Sequence, residues 1–216
     1  MAISELSSTK TGYINTSSFL GFSGEMYIGE SDTELSGFGD FGGIFQIPLG
    51  QIPKKKGIGK ITGIGFEIKT TTTSSGYNGC TARIEYLGKN ITSDKFVISQ
   101  LPAWRVGSNS ERIKLNEGVT NSFLTEDSET CKNFRELFLE ATEEDNHYFR
   151  IVRDVKSQGV YSKGHNNVKL IVHYKESNLK YYTNGQWKQC IPYYYDGKEW
   201  KQCITHCYKD GKWNQS

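Results

Sequence analysis

From Ile61 the chain alternates apolar and polar residues with a period of two: Ile64, Phe66 and Ile68 fall on one side, Glu67 and Lys69 on the other. A strand with one buried face reads this way, because successive side chains leave opposite sides of the backbone. The polar run TTTTSSGYNG ends that strand, and the next places Ala82, Ile84 and Tyr86 against Arg83 and Glu85. A Gly-Lys-Asn turn then leads to a strand around Phe96 and Ile98. Residues 99–120 show no clear period and contain Pro102 and Gly107, which predicts a loop with one short strand around Ile113. Alternation returns between Phe149 and Val152. It is clearest at Val168, Leu170, Val172 and Tyr174, with Lys169, His173 and Lys175 mostly outward. One segment departs from this period. Cys131, Phe134, Leu137, Phe138 and Ala141 recur every three or four residues, and Glu126, Asp127 and Glu129 stand where a helix N-terminus favours negative charge, predicting one helix over 129–143. About seven or eight short strands and one helix indicate a mainly β fold, an antiparallel β-sandwich of jelly-roll-like type.

Two regions lack such periodicity. Residues 1–20 are rich in Ser and Thr and read as an extended arm or first edge strand. About half of the chain's 23 glycines lie between Gly21 and Gly65, interleaved with Phe38, Phe41, Phe45, Ile47 and Leu49. Glycine at that density makes a regular helix costly, so the stretch is expected to be a long loop. Its apolar residues either fold back over the core, the commoner arrangement, or enter a neighbouring subunit through Phe38, Phe41 and Phe45.

Past residue 178 the chain repeats itself. Tryptophan recurs at Trp187, Trp200 and Trp213, the segment WKQCI occurs twice, and each unit sets Asn-Gly or Asp-Gly between aromatic residues and a Trp. This is a strong hairpin signal, so the chain divides into a sandwich domain, 1–178, and a β-hairpin module, 179–216. A lone hairpin is marginal in water, which leaves the aromatics two roles: packing the hairpins, the favoured one, or meeting a partner. The partner-contact candidates are Trp187, Trp200, Trp213, Tyr193, Tyr194 and Tyr195.

Charge and composition narrow the function. The 216 residues carry 26 basic and 24 acidic side chains for a formal charge of +2, which argues against a nucleic-acid partner. Lys54, Lys55 and Lys56 read as a solvated loop. The N-terminal sequence has no basic and apolar pair of regions typical of an export signal, and no apolar run is long enough to span a membrane, so neither export nor membrane insertion is expected. The five cysteines are then expected to be reduced thiols.

Candidate chemistry is sparse. GIGKITG lacks the glycine spacing and following helix of a dinucleotide site, and GFSG is not a nucleophile elbow. Glu140, Glu143, Glu144 and Asp145 cluster at the end of the expected helix, as a solvated face would. The histidines His147, His165, His173 and His206 are scattered. Cys190, Cys203, His206 and Cys207 make a zinc complement on paper, but Cys190 and Cys203 are one position of consecutive repeats, where cysteine acts first as a small hydrophobe. Asn15, Asn90 and Asn214 head glycosylation sequons that carry no weight without export. The expectation is therefore a protein with no catalytic residues, no metal and no cofactor.

The pattern Tyr-Tyr-x-Asn/Asp-Gly-x-Trp-Lys over residues 181–216 resembles the short C-terminal repeats of minor structural and tail proteins of bacteriophages and prophages of Gram-positive hosts. The closing run NNVKLIVHYKE looks like the last strand of phage virion β-sandwiches. The resemblance implies a non-enzymatic virion component of tail, baseplate, fibre or head decoration. It would be made in the host cytoplasm and would assemble as a homo-oligomer or with other virion proteins. The repeats also resemble choline-binding modules, although Lys-Gln-Cys follows Trp187 and Trp200 where those modules have paired Tyr; this keeps a cell-wall glycan as an alternative partner.

Overall fold

A half-buried strand needs a second layer to cover its apolar side, and a computed structural model of the chain shows how the layers meet. The structure describes residues 2–14, 21–29, 42–52, 58–72, 79–91, 103–154, 159–176, 180–190, 193–198, 200–202, 206–209 and 212–215. The chain begins with β1 (Ala2–Ser7), β2 (Lys10–Ile14), β3 (Glu25–Ile28) and β4 (Gly42–Ile47), followed by a 3-10 turn at Leu49–Gln51. The long strands β5 (Ile58–Lys69) and β6 (Cys80–Lys89) come next, then β7 (Trp104–Arg105), β8 (Ile113–Leu115) and β9 (Thr120–Thr125). Helix α1 (Ser128–Glu140) precedes β10 (His147–Arg153), β11 (Val160–Lys163) and β12 (Val168–Glu176). Three hairpins close the chain: β13 (Lys180–Thr183) with β14 (Gln186–Gln189), β15 (Tyr193–Tyr195) with β16 (Trp200–Gln202), and β17 (His206–Lys209) with β18 (Lys212–Gln215).

The sandwich has one sheet in the order β1-β12-β5-β9 and another in the order β2-β4-β10-β6-β7, with β8 also paired to β6; β3 and β11 form a separate ribbon. Every named strand pair is antiparallel. The chain crosses between the layers repeatedly, from β4 to β5, β5 to β6, β9 to β10 and β10 to β12. The expected inward sets, Ile64, Phe66 and Ile68, Ala82, Ile84 and Tyr86, and Val168, Leu170, Val172 and Tyr174, all join one buried cluster.

Four rings bring the layers together. Phe66 comes from the four-stranded sheet, Phe45 and Phe149 from adjacent strands of the six-stranded sheet, and Phe134 from α1; none is exposed to solvent. Phe149 lies 5.4 Å from Phe45, 5.7 Å from Phe66 and 6.0 Å from Phe134, centroid to centroid. Stacked and edge-on contacts of this kind add to the large apolar area each ring buries. Helix α1 reaches them because its stripe of Cys131, Phe134 and Phe138 faces the core. Its start is fixed by Asp127, whose Oδ2 accepts from the Thr130 amide at 2.8 Å, and it ends three residues short of the expected 143 where Ala141 turns extended.

Several expectations are corrected. The glycine-rich stretch is not simply a loop, since β3 and β4 arise within it and Phe45 is a core residue of β4. Phe45 therefore packs inward and is not available to a neighbouring subunit; Phe38 and Phe41 lie outside the described residues. Strand β4 shows no alternation because both of its faces are covered. Phe45 and Ile47 enter the main cluster, whereas Ile44 joins Ile14, Leu87 and Tyr148 in a second one on the sheet's other side. Gly43, on the same side of β4 as Phe45, is glycine because a Cβ would press into the side chain of Met26. In the region expected to be a loop, β7 accompanies the expected strand at Ile113, and β9 follows. The inward side of β9 holds the polar Asn121 and Thr125 beside Phe123, which hides its period; Asn121 is held by the Asn116 amide at 2.8 Å and donates to the Asn116 carbonyl at 3.0 Å. Residues 1–20 supply β1, an edge strand, and β2, while the expected strand around Phe96 and Ile98 lies outside the described residues.

Truncating Phe149 tests the ring cluster. Phe149→Ala is expected to lower unfolding free energy by about 3–5 kcal/mol in a urea titration followed by circular dichroism, whereas Leu124→Ala on the exposed side of β9 should cost under about 1 kcal/mol.

Candidate functional site

The three C-terminal hairpins are one motif written three times. Tyr182 is paired across the ladder with Trp187, Tyr195 with Trp200, and Tyr208 with Trp213. The first turn explains its sequence: Asn184 (φ 50°) and Gly185 (φ 76°) both adopt the left-handed conformation that a two-residue hairpin turn requires. In the second hairpin Gly197 (φ 97°) serves the wider connection, and the Asp196 carboxylate accepts from the Lys198 amide at 2.9 Å.

Each described pair forms a small aromatic platform. The Tyr182 and Trp187 rings are 5.3 Å apart at 59°, and Tyr195 and Trp200 are 5.5 Å apart at 49°. Packing within the hairpin nevertheless covers little of them, since Trp187 is 68% exposed and Trp200 69%. Alternation places Tyr193 on the face of Tyr195 and Trp200, and Tyr194 on the reverse. Tyr193, Tyr194 and Tyr195 are each about half exposed. The expectation that packing accounts for these aromatics is thus met only in part. The rings pair, but each of the first two hairpins keeps an uncovered aromatic face. The side chain of Trp213 lies outside the described residues. Cys190 follows β14 and is half-buried with a free thiol. An open Tyr-Trp platform can stack on the apolar face of a sugar ring or receive an aliphatic surface of a protein.

The remaining candidates are dispersed or locked. Among the described residues no group of three His, Cys, Asp or Glu is placed to hold a metal ion. Cys203 lies outside the described residues, as do the side chains of His206 and Cys207. Glu143 and Glu144 are exposed as expected, but Asp145 is buried. Its carboxylate accepts from the Thr142 amide at 2.9 Å and from Asn90 Nδ2 at 2.9 Å, and these bonds, the amide first, hold its pKa down at about 2. His147 is buried, with Nδ1 2.9 Å from the Tyr86 hydroxyl. On the outer side of the six-stranded sheet Glu85 meets Arg83 at 2.6 Å and Arg150 at 2.5 Å. Burial alone would raise the Glu85 carboxyl, but the bond from Arg83 and the charge of Arg150 outweigh it and hold the group ionised.

One concave feature escaped the sequence reading. A cavity of about 320 Å³ opens between α1 and β5, lined in part by Lys60, Ile61, Glu126, Cys131, Lys132, Arg135 and Glu136. The available signal was Arg135, a charged residue next to Phe134 on the buried side of the helix.

No protein-family model matches the chain, and no curated protein is significantly similar to it.

Two outcomes are expected. Replacing both Trp187 and Trp200 by alanine should change the unfolding free energy of the sandwich by less than about 0.5 kcal/mol in a urea titration, since neither ring is buried. Asp145 has a depressed folded pKa, so its contribution is complete above its ordinary value of 3.8 and is lost as pH falls toward about 2. Melting temperatures measured across that interval should fall less steeply for Asp145→Asn than for the unaltered chain.

Proposed function

We propose that the chain is a non-enzymatic structural component of a bacteriophage or phage-tail-like particle, associated with the tail or baseplate. The sandwich is the assembling body, and the hairpin module is the attachment element. The observation that carries this reading is the threefold Tyr-Trp ladder whose described platforms face solvent. Hairpins that leave their largest apolar side chains uncovered gain stability from a surface supplied by another molecule. Among the described residues, Glu143 and Glu144 are solvated and Asp145 and Glu85 are locked by hydrogen bonds and ion pairs, so these carboxylates lend no support to acid/base chemistry.

A second reading is favoured by the exposure of Trp187 and Trp200: the platforms stack on the glycan of a Gram-positive cell wall. Light scattering on the purified full-length chain should give a discrete oligomer that persists when residues 181–216 are deleted. A monomer at micromolar concentration would contradict assembly through the sandwich. Sedimentation with purified cell walls separates the two roles of the tail. Binding that disappears on that deletion assigns the platforms to glycan, and no binding by the intact chain assigns them to a protein partner.

A further inference from the structure

We infer that the cavity between α1 and β5 binds a carboxylate group, with Arg135 as its principal ligand. Arg135 is only 7% exposed, and its guanidinium remains charged under all ordinary conditions. Its Nε donates to the Gly59 carbonyl at 2.7 Å, which fixes the head group against β5. Among the described residues no acceptor is bonded to either Nη atom, and no carboxylate lies within ion-pairing distance. Arg150, as deeply placed, is by contrast matched by Glu85 at 2.5 Å. Neither Nη atom is sealed from solvent, so an anion can reach both, and they belong to a side chain lining a cavity of about 320 Å³. Two Nη donors in a rigid plane match the two oxygens of a carboxylate.

The surrounding charges select the class of anion. Lys60 and Lys132 add two positive charges to that of Arg135, and Glu126 and Glu136 return two negative ones, so among the described lining residues three cations face two carboxylates, a net +1. That balance suits one negative charge and opposes the second charge of a phosphate dianion. Lys132 and Glu136 are 4.0 Å apart with largely exposed side chains, so they form a rim while Arg135 sits at depth. The volume, at the small end for ligand cavities, admits a small organic acid or the final residue of a peptide chain.

Nitrogen-15 NMR of the full-length chain at constant ionic strength tests this with acetate, N-acetylglycine and inorganic phosphate as probes. The Arg135 Nε-Hε signal and the amides of residues 128–136 should shift saturably with one or both carboxylates. Tighter binding of acetate marks a free acid as the natural occupant, and tighter binding of N-acetylglycine a chain end. Arg135→Lys should weaken binding roughly tenfold or more, because an ammonium cannot make the paired contact. Lys132→Ala alters an exposed side chain and leaves the fold intact, so it provides a second variant, with a loss of roughly two- to threefold expected. No saturable shift with either carboxylate, a stronger response to phosphate, or unchanged affinity in both variants would overturn the inference.

Discussion

The sandwich depends on four phenylalanine rings meeting between its layers. Phe66 reaches them from one sheet, Phe45 and Phe149 from the other, and Phe134 from the helix. Each ring fixes the distance at which its own element lies from the others, and a closely packed interior transmits any change in one to the rest. The helix position follows from this contact together with the Asp127 cap and the Arg135 bond to the Gly59 carbonyl. The cavity between α1 and β5 is therefore bounded by elements that the core holds in place. A ligand site there would be built on a rigid helix and strand, which suits it to fix a charged group in one orientation.

The C-terminal hairpins obey a different balance. Their ladders are short, three or four paired positions each, and the described aromatic rings, those of the first two hairpins, are mostly in water. In the first hairpin, local turn chemistry at Asn184 and Gly185 decides the shape, and cross-strand ring contact adds a modest stabilisation. The sandwich carries its buried area internally, whereas the hairpins hold theirs open. This division underlies the proposal of an assembling body with an attachment element.

How far this was legible in the sequence follows from which faces are covered. Strands β5, β6 and β12 were readable because one set of alternate residues in each is apolar and buried, as Ile64, Phe66 and Ile68 show. The helix was readable through the spacing of Cys131, Phe134 and Phe138. Strand β4 was not, since Ile44 and Phe45 enter separate clusters on its two sides and no alternation survives. Strand β9 was hidden by Asn121, a buried polar residue made acceptable by bonds that only tertiary structure brings. In the tail the turns and the Tyr-Trp period were plain. The exposure of the rings was not, because a hairpin has two faces and its sequence does not say what covers them. The Arg135 cavity depends on residues from separate segments, Lys60 on β5 and Lys132 and Arg135 on α1, whose proximity no local pattern encodes.

Hydrogen exchange of the full-length chain tests the central claim, that one aromatic-centred core carries the stability and the hairpins stand outside it. The account predicts that amides of β5, β10, β12 and α1 exchange only through global unfolding, with a common and maximal protection, and that the ladder amides of β13 to β16 exchange far faster. Hairpin amides protected as strongly as those beside Phe66 and Phe149, in the chain free of any partner, would contradict it.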